Sequence, residues 1–326
     1  MTDMQRFLIR VLCFGAIQAA LAAVVLHVNR IETENTYMAA SADKHIRLAS
    51  TKPPRIIFVG GSSVAFGVDS TIVADSIPYQ PVNMGLNLDL GIEYMLSEIE
   101  PHISRGDVVV IMLEYPQFTK DRFSSVMWAY TALHRPGCLT ELGLGQVATL
   151  LDTGLGPIGR LTKGCGNCLR GRSNPPAHPY TRRSFNKYGD VTAHHAMSRP
   201  GPLVAASFTY DPDYVSKVIC RLNRFDRHCR RRGAQVLLYC PPLHPVFYTG
   251  CRTEIMLIHR DLVEGLTFPV MADPVEVIHQ EGEFFDTTSH LTYAGKVKRT
   301  RHFLAKFAEA VAKDAKPQGS RKHGED

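Results

Sequence analysis

The hydrophobic pattern opens with one long apolar block. Val11 to Val28 is nearly free of charge, and with Phe7 to Ile9 it approaches the length that spans a bilayer. Arg6 and Arg10 precede it, which predicts a cytoplasmic N-terminus. A cleaved signal peptide is the rival reading. The run ends in His27-Val28-Asn29-Arg30 rather than a small-x-small pattern, so an uncleaved anchor over residues 1–30 is favoured. Residues 31–54 are polar, close on Lys52-Pro53-Pro54 and read as a tether with room for a short helix.

The pattern then changes period. Ile56 to Val59 is a short buried strand, followed by a helix near Thr71 to Asp75 and a brief strand at Pro81 to Met84. Ile92, Met95, Leu96, Ile99 and Ile103 fall on one face of a helix, and Asp107 to Leu113 is a central parallel strand. Residues 119–210 lose this periodicity. They are rich in Gly, Pro, Arg and His, and read as an insertion with short helices, acting as a lid or acceptor surface. Regular structure resumes with a helix through Val215, Val218, Leu222 and Phe225, stopped by Gly233. A strand at Ala234 to Tyr239, a helix at Thr253 to Gly265 and a short strand at Thr267 to Met271 follow. Val297, Leu304, Phe307 and Val311 mark a last amphipathic helix, and 315–326 reads as a disordered, charged tail. Alternating strands and helices predict an α/β domain over residues 55–314, with a doubly wound, mostly parallel sheet.

Composition narrows the picture little. A net charge of +6 fits an anionic glycan or membrane face. The arginines at 224, 227, 230, 231 and 232 crowd a helix end that favours cations, and no aromatics interleave with them, so nucleic acid is not expected. Cys165-Gly-Asn-Cys168 has no second Cys pair to complete a metal site. A local disulfide or two thiols are the readings left open. The paired His194-His195 has no specific role assigned from sequence.

The chemistry concentrates in two stretches. Gly60-Gly61-Ser62-Ser63 follows the first strand, at the sheet edge where open α/β folds bind ligands. Glu283-Phe-Phe-Asp286-Thr-Thr-Ser-His290 near the C-terminus supplies a base and a carboxylate. Together they resemble the SGNH/GDSL hydrolase superfamily, and within it the membrane-anchored bacterial members linked to cell-surface O-acylation. The resemblance implies a flavodoxin-like fold. It places Ser63, set above Ser62, as nucleophile, His290 as base and Asp286 as its orienting partner. Asp286 lies four residues before His290 where the family has three. Thr287 holds the three-residue position but carries no charge to stabilise an imidazolium.

The family's oxyanion donors map to the Ser63 N–H and to Gly85. Its third donor, an asparagine, is replaced by Glu114 in Leu113-Glu114-Tyr-Pro-Gln117. An ionised glutamate cannot donate, and one lost donor costs about 2.7–4 kcal/mol of barrier. Asn87 or Gln117 is the expected substitute, with Glu114 and Gln117 also candidates for binding substrate. The resemblance implies a serine esterase or O-acyltransferase of the cell envelope, acting outside the inner membrane on an acylated glycan or small ester. It implies no metal or other cofactor, and a multi-pass membrane acyltransferase as a candidate partner. The rival is a catalytically degenerate glycan-binding scaffold.

Overall fold

The computed structural model describes residues 2–153, 156–171, 178–204 and 207–314. Its centre is a four-stranded parallel sheet of β1 (Arg55–Gly60), β2 (Gln80–Asn83), β3 (Val108–Met112) and β4 (Gln235–Leu238), in the order β2-β1-β3-β4. Every residue of β1 and β3 is buried. Successive strand side chains point to opposite faces, so complete burial means that helices cover both. That explains why these strands read as unbroken apolar runs. The chain bridges once more beyond β4, at Leu238 and Val270, in the parallel sense. The strand expected over Thr267 to Met271 gets no further than this bridge, because Pro269 can accept from Leu238 but has no N–H to donate.

The helices are α1 (Asp3–Glu32), α2 (Ala40–Ser50), α3 (Ser62–Gly67), α4 (Ser70–Ser76) and α5 (Ile92–Ser97) before β3. After it come α6 (Ser125–His134), α7 (Leu144–Asp152), α8 (Gly156–Leu169), α9 (Pro212–Arg231), α10 (Pro245–Gly250), α11 (Arg252–Gly265) and α12 (Tyr293–Asp314). Helices α3, α4 and α12 pack together, and α9 packs on α5, β4 and α11. Helix α5 is shorter than its apolar face predicts. Pro101 restricts the chain there and diverts it into a 3-10 turn, although Ile99 and Ile103 stay buried. Gly233, at φ 74°, turns the chain from α9 into β4. Two of the arginines at that helix end are engaged locally: Arg230 pairs with Asp226, and Arg232 donates to the Pro101 and Ile103 carbonyls.

Helix α1 is a 30-residue apolar helix, long enough for one membrane span and equally of the kind a signal sequence forms. The segment after it holds the short helix it has room for, α2, but is packed on the domain rather than loose. Tyr37, Met38, Ala39, Ala40, Lys44 and Leu48 are buried, and α2 packs on β2 and α6. Lys44 disguises this packing in the sequence. Its ammonium is fully buried, donates to the carbonyls of Asn83 and Gly189, and lies 4.7 Å from the Phe185 ring. Burial lowers its pKa to about 7, against the raising pull of Asp190.

The insertion divides into two kinds of structure. Helices α6 and α8 pack together and on α1, with α7 between them in the chain. Residues 180–195 instead belong to the core. Asp190 is buried and accepts hydrogen bonds from Ser70 Oγ, Ser70 N, Asn83 Nδ2 and Asn186 Nδ2. The Val191 N–H donates to the Ala65 carbonyl, and the Lys296 ammonium of α12 to the Val191 carbonyl. This stretch clamps the short helix that follows β1. The Cys165 and Cys168 side chains and the tail 315–326 lie outside the described residues. Among the described cysteines, Cys13, Cys138, Cys220, Cys229 and Cys240 form no disulfide.

Candidate active site

Strand β1 ends at Gly60, Gly61 turns the chain, and α3 begins at Ser62. A helix advances about 100° per residue, so adjacent serines at its start cannot face the same way. Ser62 faces the cleft and Ser63 faces the core. The His290 Nε2 atom lies 2.8 Å from Ser62 Oγ. The Ser63 side chain is fully buried, and its hydroxyl has no partner among the described residues. The serine that meets the histidine is therefore Ser62, one residue before the expected Ser63.

His290 is held as expected. Its Nδ1 lies 2.8 Å from Asp286 Oδ1. The extra residue between them is accommodated by a closed loop. Phe284 bridges Leu291, and the Phe285 N–H donates to the His290 carbonyl. Thr287, at the three-residue position, accepts the His290 N–H on its hydroxyl and shapes the turn. The imidazole lies flat on Phe66 of α3, with centroids 4.1 Å apart and planes 7° apart.

Sequence reasoning missed Tyr180. Its hydroxyl donates to Asp286 Oδ2 and lies 3.2 Å from His290 Nδ1. Burial pushes the Asp286 carboxyl upward, but the hydrogen bond and charge of His290, with the Tyr180 hydroxyl, outweigh it. The net result is a carboxyl below its ordinary value. Burial and the same carboxylate drive the Tyr180 phenol well above its ordinary value, so it stays a neutral donor. No periodicity marks Tyr180 in the sequence, since it sits in the irregular part of the insertion.

The groups expected to donate to an oxyanion have these partners. The Gly85 N–H is spent on Asn83 Oδ1 at 2.9 Å. A Cβ at Gly85 would lie 2.5 Å from Val64 Cβ and 2.8 Å from the Ala65 nitrogen, so Gly85 serves close packing against α3 rather than the cleft. The Ser63 N–H is also engaged, by Glu114 Oε1 at 3.2 Å. Asn87 does line the cleft. Its amide oxygen accepts the Asp89 N–H, so its NH2 is the end it can offer a ligand. Gln117 is a brace behind the wall: its oxygen accepts the Glu114 N–H, and it does not line the cleft.

Glu114 is the unusual group. It is buried, lines the cleft beside Ser62, and lies over the turn closely enough that a Cβ at Gly61 would come within 2.5 Å of its Oε1. The cleft itself measures about 810 Å³. Tyr37, Asn87, Tyr115, Phe208, Pro242 and Phe247 contribute to its walls, and Lys120 and Arg122 add positive charge. The insertion supplies Tyr180, Val204 and Phe208 to this wall.

Other candidates resolve into structure. His194 is buried against Phe66 and Phe285 with Nε2 2.9 Å from the Leu291 carbonyl, and burial lowers its pKa to about 3. His45, Glu98 and Glu141 bring possible ligand atoms within 4.8 Å of one another, but Arg135 already pairs with both carboxylates there.

No protein-family model matches this chain, and no curated protein is similar to it in sequence. What stands without them is an α/β protein with a parallel sheet of order 2-1-3-4, a long insertion after β3 and an apolar N-terminal helix.

Proposed function

We propose that this protein is a serine esterase or O-acyltransferase of the SGNH kind, anchored by α1 with its α/β domain on the extracytoplasmic side. The observation that carries the reading is the relay from Ser62 Oγ to His290 Nε2 and from His290 Nδ1 to Asp286, both at 2.8 Å. In this reading Ser62 Oγ attacks an ester carbonyl while His290 Nε2 takes its proton. Asp286 holds the ring's Nδ1–H and stabilises the imidazolium. Collapse of the tetrahedral intermediate expels the alcohol, which receives the proton from His290. Water or a sugar hydroxyl, deprotonated by the same nitrogen, then releases the acyl group from Ser62. The Ser62 N–H, at the first helical position, and the Asn87 amide are the donors nearest to hand for the oxyanion. A cleft of about 810 Å³ is in the size range of small-ligand sites. An acyl ester of a surface polysaccharide is the substrate class that suits its mixed polar and aromatic walls.

One observation favours a second reading. Glu114 takes the Ser63 N–H, and Asn83 takes the Gly85 N–H. A site whose donors are already engaged suits a glycan-binding scaffold that has lost turnover. A fluorophosphonate probe separates the two. Labelling of the full chain that survives Ser63→Ala and disappears in Ser62→Ala supports the enzyme. An unlabelled wild type, with the fold intact by circular dichroism, supports the scaffold.

A further inference from the structure

Helix α7 is amphipathic in an unusual sense. Leu144, Val147, Ala148 and Leu151 recur at helical spacing, which places them on one face, and all four are exposed. Leu144 is 91% and Leu151 79% exposed, and Leu139, on the turn before, is 60%. The inward face carries the polar Gln146, whose side chain meets the Gly143 N–H and the Leu90 carbonyl. No charged residue falls between Leu142 and Leu151. A helix that turns leucines outward and glutamine inward is built to meet something apolar.

Its neighbours identify the occupant. Helix α8 begins four residues after α7 ends and packs along the end of α1, where Asn29 Nδ2 donates to the Leu161 carbonyl at 2.8 Å. Helix α6 packs on both, with Thr33 Oγ1 2.8 Å from His134 Nε2. The outward face of α7 therefore lies a few residues along the chain from a helix that packs on α1, the only described helix apolar enough to cross a membrane. Arg160 and Lys163 of α8 are exposed, as suits anionic head groups beside an interfacial helix. We infer that the exposed face of α7, with Leu139, lies in the interfacial layer of the bilayer that α1 crosses. This rests on α1 being an uncleaved span. The lipid-seated face is coupled to the site, because Gln146 holds the turn that carries Asn87, Leu88 and Asp89 into the cleft wall.

The test uses the full chain in proteoliposomes. Tryptophan is placed singly at Leu144, at Leu151, at Leu21 in α1 and at the exposed Val263 of α11, with the native, buried Trp128 as baseline. Vesicles carry lipids brominated high on the acyl chain. The expected result is emission from Leu144→Trp and Leu151→Trp that shifts blue and is quenched to an extent comparable with Leu21→Trp, while Val263→Trp is unaffected. Quenching at Leu21 without quenching on α7 overturns the inference. A blue shift on α7 without quenching also overturns it, because it means that protein, such as a second copy, covers the face. Equal quenching at Val263 removes the specificity claimed and overturns it too, as does an unquenched Leu21.

Discussion

Tyr180→Phe perturbs the site while leaving Ser62, His290 and Asp286 in place. It deletes the hydroxyl that donates to Asp286 Oδ2 and keeps the ring that packs against Tyr37 and Phe66. A hydrogen bond to a charged group is worth about 1.5–3 kcal/mol. The Asp286 side chain is 13% exposed, so water replaces part of the lost partner and about 1–2 kcal/mol is the expected loss. If that loss falls on the geometry of the Asp286–His290 pair, acylation slows about 5- to 30-fold.

The same variant has a pH signature. The Asp286 carboxyl lies below its ordinary value in the folded protein, so it contributes stability above the unfolded value that is lost as pH falls through the folded one. Losing the Tyr180 donor raises the folded value and shrinks that contribution, moving acid unfolding to higher pH. The assay is the rate of fluorophosphonate labelling at neutral pH, run as a double-mutant cycle with Asp286→Ala, beside an acid-unfolding curve. The Tyr180→Phe effect should vanish once Asp286 is gone. An unchanged labelling rate and acid midpoint, or a rate loss that persists in the Asp286→Ala background, would refute the reasoning.

Two further outcomes follow from the same geometry. Glu114→Gln keeps an oxygen for the Ser63 N–H and adds an amide donor beside Ser62, so labelling should accelerate at least about tenfold, within the value of one oxyanion donor; a slower variant would show that the carboxylate itself is needed. Lys44→Met should flatten the dependence of stability on pH. The folded pKa near 7 lies below the unfolded 10.5, so the unfolded chain binds more protons across that window and wild-type stability rises with pH through it, on the order of several kcal/mol. Lys296, lowered by burial to about 8, adds a slope of the same sign. Urea melts at several alkaline pH values that give the same slope for wild type and Lys44→Met would contradict this.

How much of this was legible beforehand depended on how local the signal was. Strands β1 and β3 announce themselves because a strand covered on both faces must be apolar throughout. The Asp286–His290 loop is legible because both groups sit in one short segment. The serine that meets His290 lies one residue before the expected one for a geometric reason. Two glycines and two serines in a row leave open where the strand stops and the helix starts, and that boundary alone decides which hydroxyl turns outward. The Gly85 N–H is held by the Asn83 side chain, a choice composition does not encode. Tyr180 and Asp190 reach the centre only through tertiary packing of an irregular segment. Lys44 hid the packing of α2 by placing a charge in the middle of its buried face.

The compact joint between α1 and the domain limits where the protein can work. A flexible coil over residues 31–54 would let the domain wander by about 25–30 Å around its point of attachment. The chain instead passes from Glu32 to the buried Tyr37 through a tight turn, and Asn29 and Thr33 are pinned to α8 and α6. The mouth of the cleft is thus held at one elevation and one bearing relative to α1, like a lamp on a post rather than a buoy on a chain. Whatever enters the cleft has to travel to that spot, because the domain does not sweep a volume around α1.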